Sequence, residues 1–269
     1  MRWTPGWRSS NVEDRRGQRA IGGLGVGRLG IGGVVLLLVL SLVFKRDFFS
    51  LIGGGSGDGS AVAGTVESTP EEEQLVQFVS FVFDTAQGTW SHILEQRGTQ
   101  YQDAKLVLFR DAVQSACGFA QTASGPFYCP GDDKVYIDLG FYEELQRFGA
   151  RGDFAQAYVL AHEMGHHVQN LLGLTPRGAQ PSNAQSVRIE LQADCFAGIW
   201  GYHMARAGLL ESGDPEEGIG AAAAVGDDRL QRMSTGTVSP DAFTHGTSAQ
   251  RAGWFRRGME SGQIQSCQT

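Results

Sequence analysis

The chain has 269 residues, which is enough for one large domain or two small ones, and 41% of them are hydrophobic. The formal net charge is −7; the first 28 residues hold six arginines and two acidic residues and so carry +4, which leaves −11 on the remainder. An acidic domain of this kind is a poor partner for nucleic acid, so we expect no nucleic-acid binding.

An uncharged apolar run follows the basic stretch. It covers residues 29–44, and apolar side chains continue to Ile52. The run is short for a bilayer span of about 20 residues, but Lys45 and Arg46 can reach the interface. We expect a basic cytoplasmic tail over residues 1–28 and a single-pass membrane anchor over 29–52, with the rest of the chain on the non-cytoplasmic side. A cleavable signal peptide and a buried core helix are the alternatives.

A linker and a long helix come next. Residues 53–69 are rich in glycine and serine and predict a flexible linker, so the folded domain is expected over residues 70–269. Thr69, Pro70 and Glu72 form a helix-start signal, because they supply an N-cap, a proline in the first turn and a capping-box glutamate. Apolar residues then recur at helical spacing, which predicts a helix to about residue 97.

The middle and the end of the chain differ in their patterns. Short apolar runs predict strands at residues 104–109 and 134–138. Capping signals predict helices at residues 140–148, from Asp153, after residues 181–183, from Asp214, and from Thr247 or Ser248. Because strands are confined to the middle and helices dominate the rest, we predict an α+β domain that is mostly helical with a small sheet.

Four cysteines lie in the predicted domain. None is spaced as C-x-x-C, so a cysteine zinc ribbon is disfavoured. On the non-cytoplasmic side an even number of cysteines predicts disulfides. Of the three possible pairings, the local bond between Cys117 and Cys129 is the easiest to form, which leaves Cys195 to pair with Cys267. Four free buried thiols are the alternative.

The helix that starts at Asp153 carries the sequence VLAHEMGHHVQ. In a helix His162 and His166 lie about 40° apart around the axis, one turn removed, so both can bind one ion. Glu163 leans over the edge of that face, where a general base can take a proton from a metal-activated water. His167 points about 140° away from His162 and cannot join them. An amphipathic core helix with polar histidines is the alternative.

A catalytic zinc needs a third protein ligand and one open position. A histidine six residues after the second ligand would extend the motif, but that position is Leu172. The sequence RIELQADCFAGIW offers Glu190 and Asp194 on an otherwise apolar helix, where an acid pair is costly to bury without a cation. We predict Glu190 as the ligand and Asp194 as the acceptor that orients a zinc-binding histidine. The reversed assignment and a solvated acid pair stay open.

These motifs resemble two known groups of proteins. H-E-x-x-H followed by a Glu-x-x-x-Asp helix resembles the gluzincin arrangement of thermolysin-type peptidases. The strings AHEMGHHVQ, ELQADCFAGIW, THGTSAQRAGWFRRGMESG, CGFAQTASGPFYCP and KVYIDLGFYEEL are similar to the bacterial family called putative neutral zinc metallopeptidases. The likeness covers roughly residues 72–267 and implies a zincin-like fold and peptide-bond hydrolysis.

The expected function is therefore that of a membrane-anchored zinc (Zn2+) peptidase acting on a peptide or protein substrate. A zinc ion would lower the pKa of a water toward about 7, and Glu163 would take its proton and pass it to the leaving amine. Two alternatives remain, namely a catalytically lapsed, zinc-stabilised binding domain at the cell surface and a zinc amidase acting on a non-peptide or cell-wall amide. A structural zinc does not need Glu163, which favours an enzyme.

Two further expectations concern the substrate. His245 lies in a loop just before the last helix and is the candidate for stabilising the developing oxyanion, with His203, Tyr202 and Tyr136 as alternates. The strand at residues 134–138 could pair, as an edge strand, with an extended substrate backbone.

Overall fold

A helix of 26 residues, α1 (Pro70–Glu95), begins where the sequence predicts it. The Thr69 hydroxyl accepts a hydrogen bond from the Glu72 backbone N–H, which caps the helix. On its apolar face Val79, Val82, Ala86 and Trp90 are fully buried. The computed structural model describes residues 1–18, 68–121, 125–176 and 181–269. The predicted anchor (29–52) and nearly all of the predicted linker (53–69) lie outside those residues.

Six strands form two sheets within those residues. They are β1 (Val12–Asp14), β2 (Lys105–Phe109), β3 (Ala112–Ser115), β4 (Gly118–Gln121), β5 (Phe127–Cys129) and β6 (Lys134–Asp138). The larger sheet has the order β1-β2-β6-β5, in which β5 alone runs antiparallel to its neighbour. Strands β3 and β4 pair as a separate antiparallel hairpin.

The position of β6 corrects one expectation. Strand β6 lies between β2 and β5, so it is a central strand and the prediction of an edge strand there is wrong. Val135, Tyr136 and Ile137 are all buried, as expected for a strand covered on both faces. The strand at this edge of the sheet is β5, which was not predicted.

Helices make up most of the remaining described chain. They are α2 (Phe141–Arg147), α3 (Asp153–Leu171), α4 (Asn183–Arg206), α5 (Asp214–Ala224), α6 (Asp227–Thr235) and α7 (Ser248–Ser261), with 3-10 turns at Pro240–Ala242 and Ile264–Cys267. Ser182 and Thr247 each form a capping box at the start of a predicted helix. Asp153 does not cap α3: the N-cap is Gly152, with a φ of 101°, and no side chain caps this end. The α+β class predicted from the pattern is confirmed.

The first 17 residues belong to the same compact unit as residues 66–269. Strand β1 pairs in parallel with β2, with Val12 opposite Leu106. This differs from the predicted separate tail over residues 1–28. The physical reason lies in the basic residues. Arg16 is 5% exposed and forms an ion pair with Glu73 at 2.8 Å, so its charge is neutralised inside the folded unit.

Both predicted disulfides are present in the structure. Cys117 is bonded to Cys129, which joins the end of β3 to the edge strand β5. Cys195 is bonded to Cys267, which joins α4 to the end of the chain. Of the helices within the described ranges, none combines the length and the apolar character needed to cross a bilayer.

Candidate metal centre

Three side chains from α3 and α4 converge on one point. His162 Nε2 lies 3.1 Å from one carboxylate oxygen of Glu190, and His166 Nε2 lies 3.4 Å from the other. In a tetrahedral zinc site with bonds of about 2.0–2.2 Å, ligand atoms lie about 3.3–3.6 Å apart. The 3.4 Å distance lies in this range and the 3.1 Å distance is slightly short of it, so the donor types suit a divalent ion such as zinc and a small outward movement of one side chain would complete the spacing.

The hydrogen bonds of both histidine rings leave the same atom, Nε2, available to bind a metal. His162 Nδ1 lies 2.8 Å from an Asp194 oxygen, and His166 Nδ1 lies 2.9 Å from Gln169 Oε1. Metal-binding histidines usually donate their other N–H to such an acceptor, which fixes the tautomer and the ring. Both Nε2 atoms are thereby left for Glu190 and for an ion.

Small residues allow the helices to approach this closely. A Cβ at Gly165 of α3 would lie 2.9 Å from the carbonyl oxygen of Ala193 in α4. A Cβ at Gly258 of α7 would lie 2.0 Å from the carbonyl oxygen of Cys195 in α4. Larger residues at either glycine would separate the helices that carry the site, because packed backbones cannot absorb a displacement of that size.

The cluster is strongly charged. Burial alone would lower the pKa of His162, but Asp194 and Glu190 outweigh burial and raise it to about 10. Burial alone would raise the pKa of Glu190, but His166 and His162 outweigh it and hold that pKa well below the usual range. Glu190 is therefore ionised at neutral pH, as a metal ligand must be.

Glu163 lies beside the cluster. Its side chain is buried, with an exposure of 8%, and burial raises its pKa although both cluster histidines act against the shift. A hydrogen bond from the backbone N–H of Tyr128 in β5 also opposes the rise of this pKa. A carboxylate with a raised pKa beside a metal site is suited to accept a proton near neutral pH.

Asp194 is fully buried at the side of His162 that faces away from Glu190. Arg251 donates to its two oxygens at 2.9 and 3.0 Å, and the Tyr158 hydroxyl donates to it at 2.5 Å. The structure thus places Asp194 beside Nδ1 of His162 and Glu190 beside Nε2 of His162 and His166, and the roles of the two acids stay predictions.

His245 lies at the opposite wall of the cleft. Its Nδ1 is 3.1 Å from an Asp227 oxygen, and its side chain is 49% exposed. The other Asp227 oxygen accepts the backbone N–H groups of Thr244, His245 and Gly246 at 2.7–3.0 Å. Asp227 therefore fixes the loop that carries His245.

The three alternates to His245 do not line the cleft. Tyr136 donates its hydroxyl to Asp132 from within the sheet. Tyr202 and His203 contact each other on α4, with ring centroids 5.4 Å apart. The site geometry favours His245 over these three residues.

The cluster opens into a cleft of about 660 Å³. The donor residues and Glu163 line it together with several large apolar side chains. These are Phe127, Phe141, Phe148, Val159, Val225 and Leu230. A cleft of this size is large enough for a few residues of a peptide.

His167, which had no predicted role, joins α3 to the sheet side of the cleft. It is fully buried, its Nε2 donates to the Gln102 carbonyl at 2.7 Å, and its Nδ1 lies 3.1 Å from the Tyr128 hydroxyl. The residue thereby helps to set the distance between the helix that carries Glu163 and the edge strand β5.

Sequence reasoning missed three residues of this region, namely Arg251, Tyr158 and Asp227. One signal was available for Arg251, because it lies on the same face of α7 as Phe255 and Gly258, at spacings of four and seven residues. An arginine on the buried face of a helix needs a buried acid as its partner. Tyr158 lies one turn before His162 and has no comparable signal, and neither does Asp227.

A second acidic group lies elsewhere in the described chain. Asp153, Asp214 and Glu217 form it, and the amino group of Met1 lies 2.6 Å from Asp153 and 3.3 Å from Asp214. Two of these three acids already have a cationic partner, so we do not assign a metal to the group.

The fold and the donor set together define an α+β protein with a candidate metal site between two helices. The chain belongs to the family described as "Putative neutral zinc metallopeptidase", whose match covers residues 1–269. The match thus extends beyond the resemblance over residues 72–267 and includes the N-terminal segment that pairs with β2.

Several curated relatives are similar to the chain. "Uncharacterized protein YpfJ" of Escherichia coli K12 is 47% identical over an alignment that covers 100% of this chain and 98% of the relative. "Uncharacterized protein Rv2575" of Mycobacterium tuberculosis H37Rv and "Uncharacterized protein Mb2605" of Mycobacterium bovis are each 44% identical over 63% of both chains. No solved structure matches the chain.

Proposed function

We propose that this protein is a zinc-dependent peptidase in which His162, His166 and Glu190 hold the ion and Glu163 is the general base. The observation that carries the proposal is the three-donor cluster, with its nitrogen–oxygen distances of 3.1 and 3.4 Å, at the wall of a cleft. Structural zinc sites usually have four protein ligands, whereas three ligands with an open position are typical of catalytic ones.

The chemistry divides between the ion and the residues around it. When bound, zinc activates a water molecule and polarises the substrate carbonyl. Glu163 takes a proton from the attacking water and returns it to the leaving amine, for which its burial and raised pKa are suited. His245 has its Nδ1 beside Asp227 and the Thr244 hydroxyl. In its imidazolium form, with Nδ1–H donated to Asp227, it can also donate Nε2–H to the developing oxyanion.

The sheet and the apolar wall indicate how a peptide would lie. Strand β5 is the edge of the larger sheet within the described chain, and Phe127 and Tyr128 of that strand line the cleft. An extended peptide can add to such an edge through its main chain. The apolar lining, which includes Phe148 and Leu230, favours substrates with a large hydrophobic side chain next to the scissile bond.

The decisive experiment is a peptide-library assay of the wild type beside Glu163→Gln. We expect the variant to retain about one zinc per chain and to lose turnover, since glutamine cannot accept the proton. His92→Gln, which alters a histidine of α1, is the matched control and should cleave like the wild type. Unchanged cleavage by Glu163→Gln would reject the base assignment.

We also propose that the domain works on the non-cytoplasmic side of the membrane. The two disulfides support this location, because such bonds persist in oxidising compartments. The pairing of β1 with β2 requires both strands to lie on one side of any membrane. The proposal therefore gives up the cytoplasmic tail and places residues 1–17 with the domain.

Thiol labelling can test this location. Single cysteines introduced at Thr4 and Ala249, both exposed, should react equally with a membrane-impermeant reagent in cells whose cytoplasmic membrane is intact. Labelling at position 249 alone would restore a cytoplasmic tail. Labelling at neither position before lysis would place the domain in the cytoplasm.

A further inference from the structure

Arg251 reaches the metal-binding cluster from the last long helix. Its side chain is buried, and its guanidinium donates from Nε and Nη2 to the two oxygens of Asp194 at 2.9 and 3.0 Å. A two-point contact of this kind fixes both the direction and the plane of a carboxylate.

The two acids of α4 approach opposite nitrogens of one imidazole. Asp194 lies 2.8 Å from His162 Nδ1, and Glu190 lies 3.1 Å from His162 Nε2. The Asp194 oxygen that accepts from His162 also accepts from Tyr158 and Arg251, and the other oxygen accepts from Arg251. Both oxygens of Asp194 are therefore hydrogen-bonded to residues other than Glu190.

The position of Arg251 is itself fixed by the backbone. Gly258, seven residues further along α7, brings this helix against the carbonyl oxygen of Cys195 in α4. Arg251 Nη1 also donates to the carbonyl of Val225 at 3.2 Å. The guanidinium is therefore held in place before any ion binds.

We propose that Arg251 is a positioning residue that assigns the two acids of α4 their different roles. It holds Asp194 at Nδ1 of His162, so that Nδ1–H donates a hydrogen bond to Asp194. The Nε2 atom is then left for the ion, and Glu190 is the carboxylate that binds the ion. The assignment rests on the zinc site of the proposed function. Without Arg251 the Asp194 carboxylate is free to rotate, and the His162 ring is no longer held in one orientation.

A double-mutant cycle tests this role in the full-length chain. The variants are Arg251→Met, Asp194→Asn and both together, with Arg256→Met as the control on an exposed position of the same helix. Zinc affinity is measured by competition with a chelator. We expect Arg251→Met to weaken zinc binding about 10- to 100-fold, which is the usual cost of losing a residue that orients a metal-bound histidine.

The double variant separates positioning from general damage. Because Arg251 acts through Asp194, its loss should weaken binding no further once Asp194→Asn is present. A purely structural role would make the two losses multiply. The absorption spectrum of the Co2+-loaded protein should also differ between the wild type and Arg251→Met, since a reoriented His162 changes the ligand field, and Arg256→Met should leave the spectrum unchanged.

A conservative variant distinguishes charge from geometry. Arg251→Lys keeps the positive charge but cannot bind both oxygens of Asp194 with a fixed fork. We expect Arg251→Lys to retain more stability than Arg251→Met and still to bind zinc more weakly than the wild type. Full recovery of zinc affinity by lysine would show that charge alone matters and would overturn the positioning role.

Two other results are decisive. A folded Arg251→Met protein with the zinc affinity and Co2+ spectrum of the wild type would overturn the assignment and leave the zinc site intact. A folded wild-type protein that binds no zinc would overturn the zinc site and the assignment together. If Arg251→Met alone does not fold, the double variant, which lacks both charges, is compared with Asp194→Asn: equal affinities support the role and a further loss overturns it.

Discussion

Two aspartate–histidine pairs lie at the candidate site, and their surroundings differ. His162 and Asp194 are 2.8 Å apart and both are buried. His245 and Asp227 are 3.1 Å apart, and the histidine side chain is 49% exposed. The same two chemical groups are thus held once inside the protein and once at the wall of the cleft.

The partners of the two aspartates explain the difference. Asp194 is bound by side chains from α3 and α7, including the permanent charge of Arg251. Asp227 is bound by three backbone N–H groups of the loop that carries His245. The buried pair should therefore matter for the fold and for metal binding, and the pair at the cleft wall should matter mainly for the position of one loop.

The largest effect on stability is expected for Asp194→Ala. This variant leaves the buried Arg251 without its acid, which typically costs about 3–5 kcal/mol of unfolding free energy. Denaturant unfolding of the metal-free protein measures the loss, with Glu216→Ala as an exposed acidic control. A loss under about 1 kcal/mol, the size of an ordinary surface change, would show that the buried pair does not hold the helices together.

A smaller loss is expected for Asp227→Ala. Three backbone N–H groups lose their acceptor, and leaving such groups unsatisfied costs about 1–3 kcal/mol. Zinc affinity should stay at the wild-type level, because Asp227 does not contact the cluster. Asp241→Ala, at an exposed site nearby, serves as the control. Weaker zinc binding in Asp227→Ala would mean that the two pairs are coupled.

Acid should remove the contribution of Asp227. Burial alone would raise its pKa, but the hydrogen bonds from His245 and the loop backbone outweigh burial and lower it below the usual 3.8. A lowered folded-state pKa stabilises the fold above pH 3.8, and this contribution is lost as the pH falls through the folded value. The difference in unfolding free energy between the wild type and Asp227→Asn should therefore shrink below pH 4; a constant difference would exclude this linkage.

The smallest effect on the fold is expected for His245→Gln. The side chain is half exposed, so unfolding free energy and zinc affinity should match those of the wild type. If its Nε2 stabilises the oxyanion, kcat should fall about 10²- to 10³-fold. The same substitution at His203, outside the cleft, is the control. Wild-type kcat in His245→Gln would remove this residue from the mechanism.

The sequence predicted best what depends on near neighbours along the chain. The start of α1 and the capping boxes at Ser182 and Thr247 rest on residues within one turn, and the structure contains them. The shared face of His162 and His166 likewise follows from helical spacing, and the structure places both at Glu190.

The failures have a common origin in distant contacts. Arg251 is 57 residues from Asp194 and 93 from Tyr158, so no local pattern connects them. The sequence pattern of β6 is compatible with an edge strand and with a central strand, and only the neighbouring strands distinguish the two positions. The positive charge of the N-terminal segment led to the prediction of a separate tail. Its pairing with β2 joins Val12 to Leu106, which is far away in the sequence, so no local pattern indicates it.

The sequence by itself predicted every described helix except α6 (Asp227–Thr235), the two disulfide pairs that the structure contains, and a candidate metal site with Glu190 and Asp194 as the competing acids. Only the tertiary structure decided which acid of α4 lies at the Nε2 atoms of His162 and His166, which residue holds the other acid, and which of the candidate oxyanion donors lines the cleft. The reason is that helical periodicity specifies the direction of a side chain from its own axis, whereas the distance between atoms on separate helices depends on how closely their backbones pack. Here that packing is set by glycines such as Gly165 and Gly258, whose contacts lie on other helices.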